Sequence, residues 1–379
     1  CERYNHSGDV FQKQLQITNP KTLKEIVDKL SQLTLIDTDS DIKGDAFEYF
    51  LKQSVTVGND LGEYFTPRHI VKLMIKLVSP QFGFTIYDPC CGTGGFLIEA
   101  FKHIKKICKP TKKNIKILKL KTVFGTELTN TARIAKMNMI LTGDGHTNVQ
   151  QKDCLKKQIK NKYDFILTNP PYSQKTDWGN IYPIPSTQAD CIFIQHIILA
   201  LNNSGKCAVI VPDGFLSEFT QIAYKKTREW LLDTCGLEAV ISLPAGVFYP
   251  YAGAKTSIII FTKGNTTKKV WFYEITNDGF ELNTNRKSIK GKNDIDELLE
   301  IWSEKEKSKK GFYVEINDIA NNHYKLILTD YKTFIREELQ VEEPSLLLNQ
   351  INDYTIEIRG RLKKINELIK KSNSSVQGN

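Results

Sequence analysis

This sequence of 379 residues predicts an α/β fold with a mostly parallel sheet covered on both faces by helices. Three observations predict it. Between about residues 62 and 275, short apolar runs alternate with stretches of helical length and period. A glycine-rich loop, Asp88-Pro89-Cys90-Cys91-Gly92-Thr93-Gly94-Gly95-Phe96, follows the first of those runs and opens a helix. In open α/β sheets that is where ligands sit. A later run ends in Asn169-Pro170-Pro171-Tyr172, a polar and aromatic stretch that makes poor core material but a good site for a flat, amine-bearing substrate.

The elements follow in order. Residues 1–61 read as a helical region: Leu23, Ile26, Val27 and Leu30 fall on one helix face, and Ala46–Leu51 reads as a second helix. A Gly-bearing loop over 57–62 separates this region from the next. In Glu63-Tyr64-Phe65-Thr66-Pro67, Thr66 suits an N-cap and Pro67 a first helical residue. The strand candidates are Phe84–Tyr87, Thr122–Gly125, Tyr163–Thr168, Cys207–Val211, Glu238–Ser242 and Thr256–Phe261. Helices are expected near 95–108, 129–141, 189–202 and 218–233. The last two strands lack an obvious long helix between them, which favours an antiparallel final strand. Residues 276–379 turn polar and helical, and Ile351, Tyr354, Ile358, Leu362, Ile365 and Ile369 form one helical seam. That seam either packs on its own domain or receives a partner.

Composition sets limits. Hydrophobic residues make up 40% and charged residues 25%, an ordinary globular balance. No apolar run is long enough to span a bilayer, so no membrane role is expected. The eight cysteines are scattered without metal-ligand spacing, so no metal site is expected, and reduced thiols suit a cytoplasmic protein. The chain begins Cys1-Glu2-Arg3 without Met, which reads as the start of a fragment. The net charge of +9 suits a nucleic-acid partner, although a general richness in Lys, Ile and Asn explains it as well.

The glycine loop does not match the spacing of dinucleotide or phosphate loops, and no Lys follows it to meet a phosphate. Asp88 would repel a pyrophosphate and suits a cationic ligand, which points to a sulfonium such as S-adenosyl-L-methionine. Cys90, Gly92, Thr93, Gly94, Gly95 and Phe96 complete the loop. Glu127, ending a strand, can take both ribose hydroxyls. Asp153 can accept the adenine amine or cap a loop. The helix start at Tyr64, Phe65, Thr66 and Pro67 offers backbone N–H groups to a carboxylate. At the other motif, the Asn169 side-chain carbonyl and the Pro170 carbonyl can accept the two hydrogens of an aromatic amine. That favours its nucleophilic form. Pro171 fixes the backbone, and Tyr172 can stack on the ring.

Taken together, Phe65-Thr66-Pro67, Asp88–Phe96, Glu127, Asp153 and Asn169–Tyr172 resemble the N6-adenine DNA methyltransferases, in the gamma order of motifs. The fuller texture is similar to the modification (M) subunits of type I restriction-modification systems. Gly44–Tyr49, Val211–Leu216, Leu243–Phe248 and Gly253–Ile258 carry that likeness, which runs from about residue 20 to 275. The chain departs from such subunits in a shorter N-terminal helical region and in Tyr251–Thr256, where the family often has Thr-Gly-x-Lys-Thr.

The resemblance implies a doubly wound, seven-stranded sheet of the class I S-adenosyl-L-methionine-dependent methyltransferase type, with the catalytic domain over 62–275. It implies a site-specific, adenine-specific DNA methyltransferase acting on a base flipped from duplex DNA. Phe248 or Tyr249 becomes a second stacking aromatic, or else packs in the core. No insertion is large enough for a recognition domain, so a specificity (S) subunit is the expected partner. A second M subunit and a restriction (R) subunit are further partners the resemblance allows. Two rivals stay open: a protein-glutamine N5-methyltransferase, whose substrate amide also suits Asn169–Tyr172, and a non-catalytic scaffold.

Overall fold

The computed structural model describes residues 19–31, 66–144, 148–160, 162–249, 252–291, 293–305, 308, 310–332, 351–352 and 354–365. The expected helix at Ala46–Leu51, the 57–62 loop, Tyr64 and Phe65 lie outside them. The chain divides into two compact units, Cys1–Tyr331 and Lys332–Asn379.

The first unit contains helix α1, Pro20–Ser31, on the stretch whose apolar spacing predicts it. A nine-stranded sheet follows. Its strands are β1 (Ile86–Asp88), β2 (Val123–Glu127), β3 (Val149–Gln151), β4 (Tyr163–Thr168), β5 (Leu201–Pro212), β6 (Cys235–Ser242), β7 (Thr256–Lys263), β8 (Lys269–Glu274) and β9 (Gly311–Glu315). They lie in the order β3-β2-β1-β4-β5-β7-β6-β8-β9. β3 to β5 pair in parallel, β7 runs antiparallel between β5 and β6, β8 is parallel to β6, and β9 is antiparallel to β8. The antiparallel strand expected near the end is therefore β7, slotted between its neighbours.

Among the described residues the sheet has nine strands, not seven. β3 is three residues long with two exposed glutamines, so it carries no apolar signature. β9 lies beyond residue 275 in a polar stretch, and only Val314 of its five residues is buried. The sheet thus continues past the point where the sequence turns polar.

Helices cover both faces. They are α2 (Arg68–Val78), α3 (Gly95–Ile107), α4 (Lys112–Lys121), α5 (Thr131–Thr142), α6 (Ala189–Ala200), α7 (Asp213–Ser217), α8 (Ile222–Thr234), α9 (Asp294–Ile301) and α10 (Ile316–Asn321). α2 and α3 bury Ile70, Leu73, Met74, Leu97, Phe101 and Ile104 in one core layer. α6 and α8 bury Ile194, Ile197, Leu231 and Leu232 in the opposite one. α6 is apolar nearly all round and almost wholly buried, as such a helix must be. The sheet order reverses between β1 and β4, which places the carboxyl ends of these two strands side by side at the crevice where ligands bind such sheets.

In the second unit, residues 351–352 and 354–365 are helical. Ile351, Tyr354, Ile358, Leu362 and Ile365 of the expected seam are all more than half exposed.

Candidate functional site

The loop after β1 and the segment after β4 meet because their strands are neighbours. Thr168 Oγ1 donates to Asp88 Oδ1 at 2.6 Å, joining the two strand ends. The Cys90 N–H reaches the same carboxylate oxygen at 3.1 Å. Asp88 is 1% exposed. Burial pushes its carboxyl up to about 7 against the hydrogen bonds from Thr168 and Cys90, with the Glu127 charge adding to the rise. A fixed cation in this pocket would be well placed to draw out that proton.

Glycine permits the turn that follows. Gly94 has φ +87°, a left-handed conformation that favours glycine, and it caps α3. Gly95 lies directly beneath Arg68. A Cβ there would stand 2.4 Å from Arg68 Nη1, so the guanidinium lies over the start of α3. Gly125 in β2 has a similar role, since a Cβ would meet Leu97 and Cys91, which pack the loop and its helix onto the sheet.

Two adjoining depressions open at these strand ends. Thr66, Arg68, Asp88, Thr93, Phe96 and Asn169 line the first. Glu127, Leu128, Asp153, Leu155, Pro171 and Phe193 line the second. Cys90 and the 88–91 turn stand between them. Of the expected loop residues, Gly92 enters through its backbone, donating to Glu127 Oε2 at 3.0 Å.

Glu127 ends β2 and is 4% exposed. Its other oxygen accepts from the Thr129 N–H at 2.8 Å and from Thr129 Oγ1 at 2.7 Å. A carboxylate offers about four acceptor directions, so a ribose diol would share Glu127 and displace the Thr129 hydroxyl. Asp153 Oδ1 accepts from the Leu155 N–H at 2.9 Å, and its Oδ2 accepts from Trp178 Nε1 at 2.7 Å.

The amide of Asn169 is held at both ends. Its Nδ2 donates to Thr66 Oγ1 at 3.0 Å, and its Oδ1 accepts from the Tyr172 hydroxyl. Thr66 therefore does not cap α2. Pro67 is the N-cap residue, and its carbonyl accepts from Ile70 and Val71. The threonine hydroxyl is spent on Asn169 instead, tying the Thr-Pro segment to the Asn-Pro-Pro-Tyr segment. Pro170 is buried, and Asn169, Pro171 and Tyr172 are half-buried. Burial raises the Tyr172 phenol, so it stays a donor. Phe248 is 3% exposed and meets Tyr172 edge-on, with ring centroids 6.4 Å apart at 74°. In this position it backs the tyrosine and offers no free face of its own.

No motif singles out the loop over 173–188 in the sequence. Gln174, Lys175 and Thr176 wall the second depression, and Trp178 fixes Asp153. The loop is pinned from α6: Gln195 bonds both the N–H and the carbonyl of Ile184 at 2.8 Å. His196 Nδ1 meets the Tyr182 hydroxyl at 2.9 Å, and that hydroxyl also reaches the Leu155 carbonyl. Burial holds His196 down at about 4, so it stays neutral. Gly179 has no room for a side chain, since a Cβ would fall 1.6 Å from the Ser186 carbonyl oxygen. Ser173 has φ +54° directly after Tyr172, and its N–H is held by Asp190, whose carboxyl burial raises to about 6. Arg68, Trp178 and Asp190 are visible only in three dimensions, because each acts across 25 residues or more or through a turn. No group of three or more His, Cys, Asp or Glu among the described residues is arranged to hold a metal ion.

The donor set fits a ligand with a cationic centre, a carboxylate, a diol and a flat ring. Asp88 answers the first, Arg68 the second, Glu127 the third, and Asp153 between Leu128, Leu155 and Phe193 the fourth. These are the groups of S-adenosyl-L-methionine.

Comparison with known proteins shows the family. A family model described as N-6 DNA Methylase matches residues 38–339. The EcoEI type I restriction enzyme methylase subunit of Escherichia coli is 31% identical over 369 residues, covering 92% of this chain and 74% of that one. The EcoKI type I methylase subunit of Escherichia coli K12 is 32% identical over 289 residues, covering 68% of this chain and 54% of its own length. Among solved structures, one chain described under complex assembly and conformational transition of the type I R-M system superposes with a TM-score of 0.73. It shares 25% identity and covers 96% of this chain and 78% of that chain. The methyltransferase subunit of a type I restriction-modification system from Streptococcus thermophilus gives a TM-score of 0.65 at 28% identity, over 81% of this chain and 67% of that one.

Proposed function

The chain belongs to the N-6 DNA Methylase family, and from that premise we propose that it moves a methyl group from S-adenosyl-L-methionine to adenine N6 in DNA, as the modification subunit of a type I restriction-modification assembly. The observation that carries this reading is the direct bond from Asn169 to Thr66. It sets the amine-holding segment at the rim of the depression that Asp88 and Arg68 line.

When bound, the cofactor supplies an electrophilic methyl group on a cationic sulfur. The chain's own residues do the rest. Arg68 and the start of α3 take the carboxylate, Asp88 faces the cation, Glu127 holds the ribose, and Asp153 meets the adenine ring of the cofactor. Asn169 Oδ1 and the Pro170 carbonyl accept the two hydrogens of the target N6, which localises its lone pair and stabilises the positive charge that grows on nitrogen. Thr66 fixes which end of the Asn169 amide faces the substrate. Tyr172 leaves its bond to Asn169 and stacks on the flipped base, with Phe248 behind it. Positioning and electrostatics account for the rate enhancement, and no covalent enzyme intermediate is required.

Family membership favours DNA over a protein glutamine as acceptor, and the complete site argues against a scaffold. Incubation with tritiated cofactor and either duplex DNA or a glutamine-bearing protein decides between them. Label in DNA, recovered as N6-methyladenine, supports the reading, and label in protein alone would reject it.

We assign target choice to a separate specificity subunit, docked through the C-terminal helical seam that begins at Ile351 together with the N-terminal helices. Removing residues from about 345 onward should weaken capture of that subunit and leave cofactor binding unchanged. Undiminished capture would reject the assignment.

A further inference from the structure

Lys102, Lys105, Lys106, Lys109, Lys112, Lys113, Lys116, Lys119 and Lys121 fall within 20 residues, and no acid occurs between Glu99 and Glu127. These nine lysines equal the whole net charge of the chain, +9, so everything outside this stretch sums to zero. A uniform lysine bias would have spread the excess. Here it is confined to the end of α3, the turn after it, and α4.

The structure gives this stretch little internal compensation. All of these lysines except Lys102 are exposed. α4 buries only Leu118, so packing does not explain the helix. Lys112 and Lys113 stand in its first turn, where the helix dipole disfavours positive charge. Lys112 and Lys116 are like charges four residues apart on one face, as are Lys102 and Lys106 on α3 and Lys72 and Lys76 on α2. The last two pairs line one groove between α2 and α3, with Glu99 the one acid among its lining residues. Such a surface is relieved by a polyanion, and closely spaced phosphates satisfy it best.

Its place in the fold narrows the occupant. α3 starts at the cofactor loop and leads away from it at about 1.5 Å per residue. Lys105 is therefore roughly 15 Å behind Gly95 along the helix, too far to touch a base in the pocket or its immediate neighbours.

We propose that the α3–α4 surface binds the phosphate backbone of the substrate duplex, on the arm that flanks the target. The proposal rests on the reading of the chain as a DNA methyltransferase. It adds a second, sequence-independent contact that lengthens the footprint on DNA.

The test uses the full chain, with duplexes of about one and about four helical turns (roughly 10 base pairs each turn). The combined variant Lys105→Gln, Lys109→Gln, Lys112→Gln and Lys116→Gln is compared with a control that loses four charges elsewhere, Lys226→Gln, Lys268→Gln, Lys287→Gln and Lys290→Gln. Anisotropy is read across a salt series. The wild type and the control should bind the long duplex at least tenfold more tightly than the short one. The α3–α4 variant should lose that gain, and its salt dependence should flatten by about 0.9 in log–log slope for each phosphate contact removed. Affinity for the short duplex and for cofactor should not change, which separates failure of this surface from failure of the methyltransferase reading. Restoring the four positions as Arg should restore the gain. Equal losses in both variants, or a long-duplex affinity unchanged by the α3–α4 variant, would overturn the proposal.

Discussion

The Thr66 hydroxyl is the smallest part of the site whose loss should be visible. It accepts from Asn169 Nδ2, and an amide that loses that bond keeps only the Tyr172 hydroxyl to orient it. Thr66→Val keeps the shape and removes the acceptor, at a cost of about 1 kcal/mol. Single-turnover methyl transfer should slow roughly five- to tenfold with cofactor affinity unchanged; an unaltered rate would mean that the orientation of Asn169 is set elsewhere. Asp88 makes a second prediction at this scale. Its free carboxyl titrates at about 7 because it is buried. A cationic ligand selects the ionised form, so its affinity should be level above pH 7 and fall about tenfold for each unit below it. In the free protein the sign is opposite: a raised carboxyl contributes stability that is full below its ordinary value of 3.8 and is lost as pH rises through 7. Titration calorimetry across pH 5.5 to 8.5 should show the affinity trend in the wild type and a flat profile in Asp88→Asn. The sequence made Asp88, Glu127 and Asn169 legible because each ends or directly follows a strand that its apolar run announces. It misassigned Thr66 as a helix cap, since Thr before Pro at a helix start reads the same whether its hydroxyl turns inward to its own backbone or across to another loop.

At the scale of elements, strands and helices with strong apolar periodicity were readable, and those that depend on neighbours were not. β4 matches its expected span residue for residue, because Tyr163–Thr168 is a mostly apolar run whose first residue and last three are buried. β3 and β9 are held by pairing with one neighbour each, which leaves little imprint on composition. α4 is masked by its lysines. The 173–188 loop is the least legible piece of the site. Its order comes from Gln195 and His196 on α6, which look in the sequence like polar residues interrupting an apolar helix. They are buried there because each has a partner in the loop. The loop in turn places Trp178 against Asp153. Trp178→Phe keeps the wall and removes the donor. Cofactor affinity should weaken about tenfold, equivalent to one charge-assisted hydrogen bond of roughly 1.5 kcal/mol, while turnover at saturation stays near wild type. A change in turnover with affinity intact would place Trp178 on the substrate side instead.

At the scale of the whole molecule, fold and function follow from one topological fact. Because β1 and β4 are neighbours, the glycine loop and the Asn169–Tyr172 segment open into adjoining depressions. Polar partners bind them at Asp88–Thr168 and at Thr66–Asn169. A mostly parallel sheet with ligands at its carboxyl ends was readable from the alternation of strands and helices. The nine-stranded extent was not, since β8 and β9 add an edge that carries none of the motifs. Net charge hinted at nucleic acid only weakly in sum, and far more clearly once its confinement to α3 and α4 was seen. Asn169 is the residue on which methyl transfer should depend most. Wild-type protein with its specificity partner, duplex DNA and labelled cofactor should yield N6-methyladenine on digestion to nucleosides. Asn169→Ala should bind cofactor with unchanged affinity and lower that product at least a hundredfold. N6-methyladenine formed by Asn169→Ala at a rate near wild type would contradict the account.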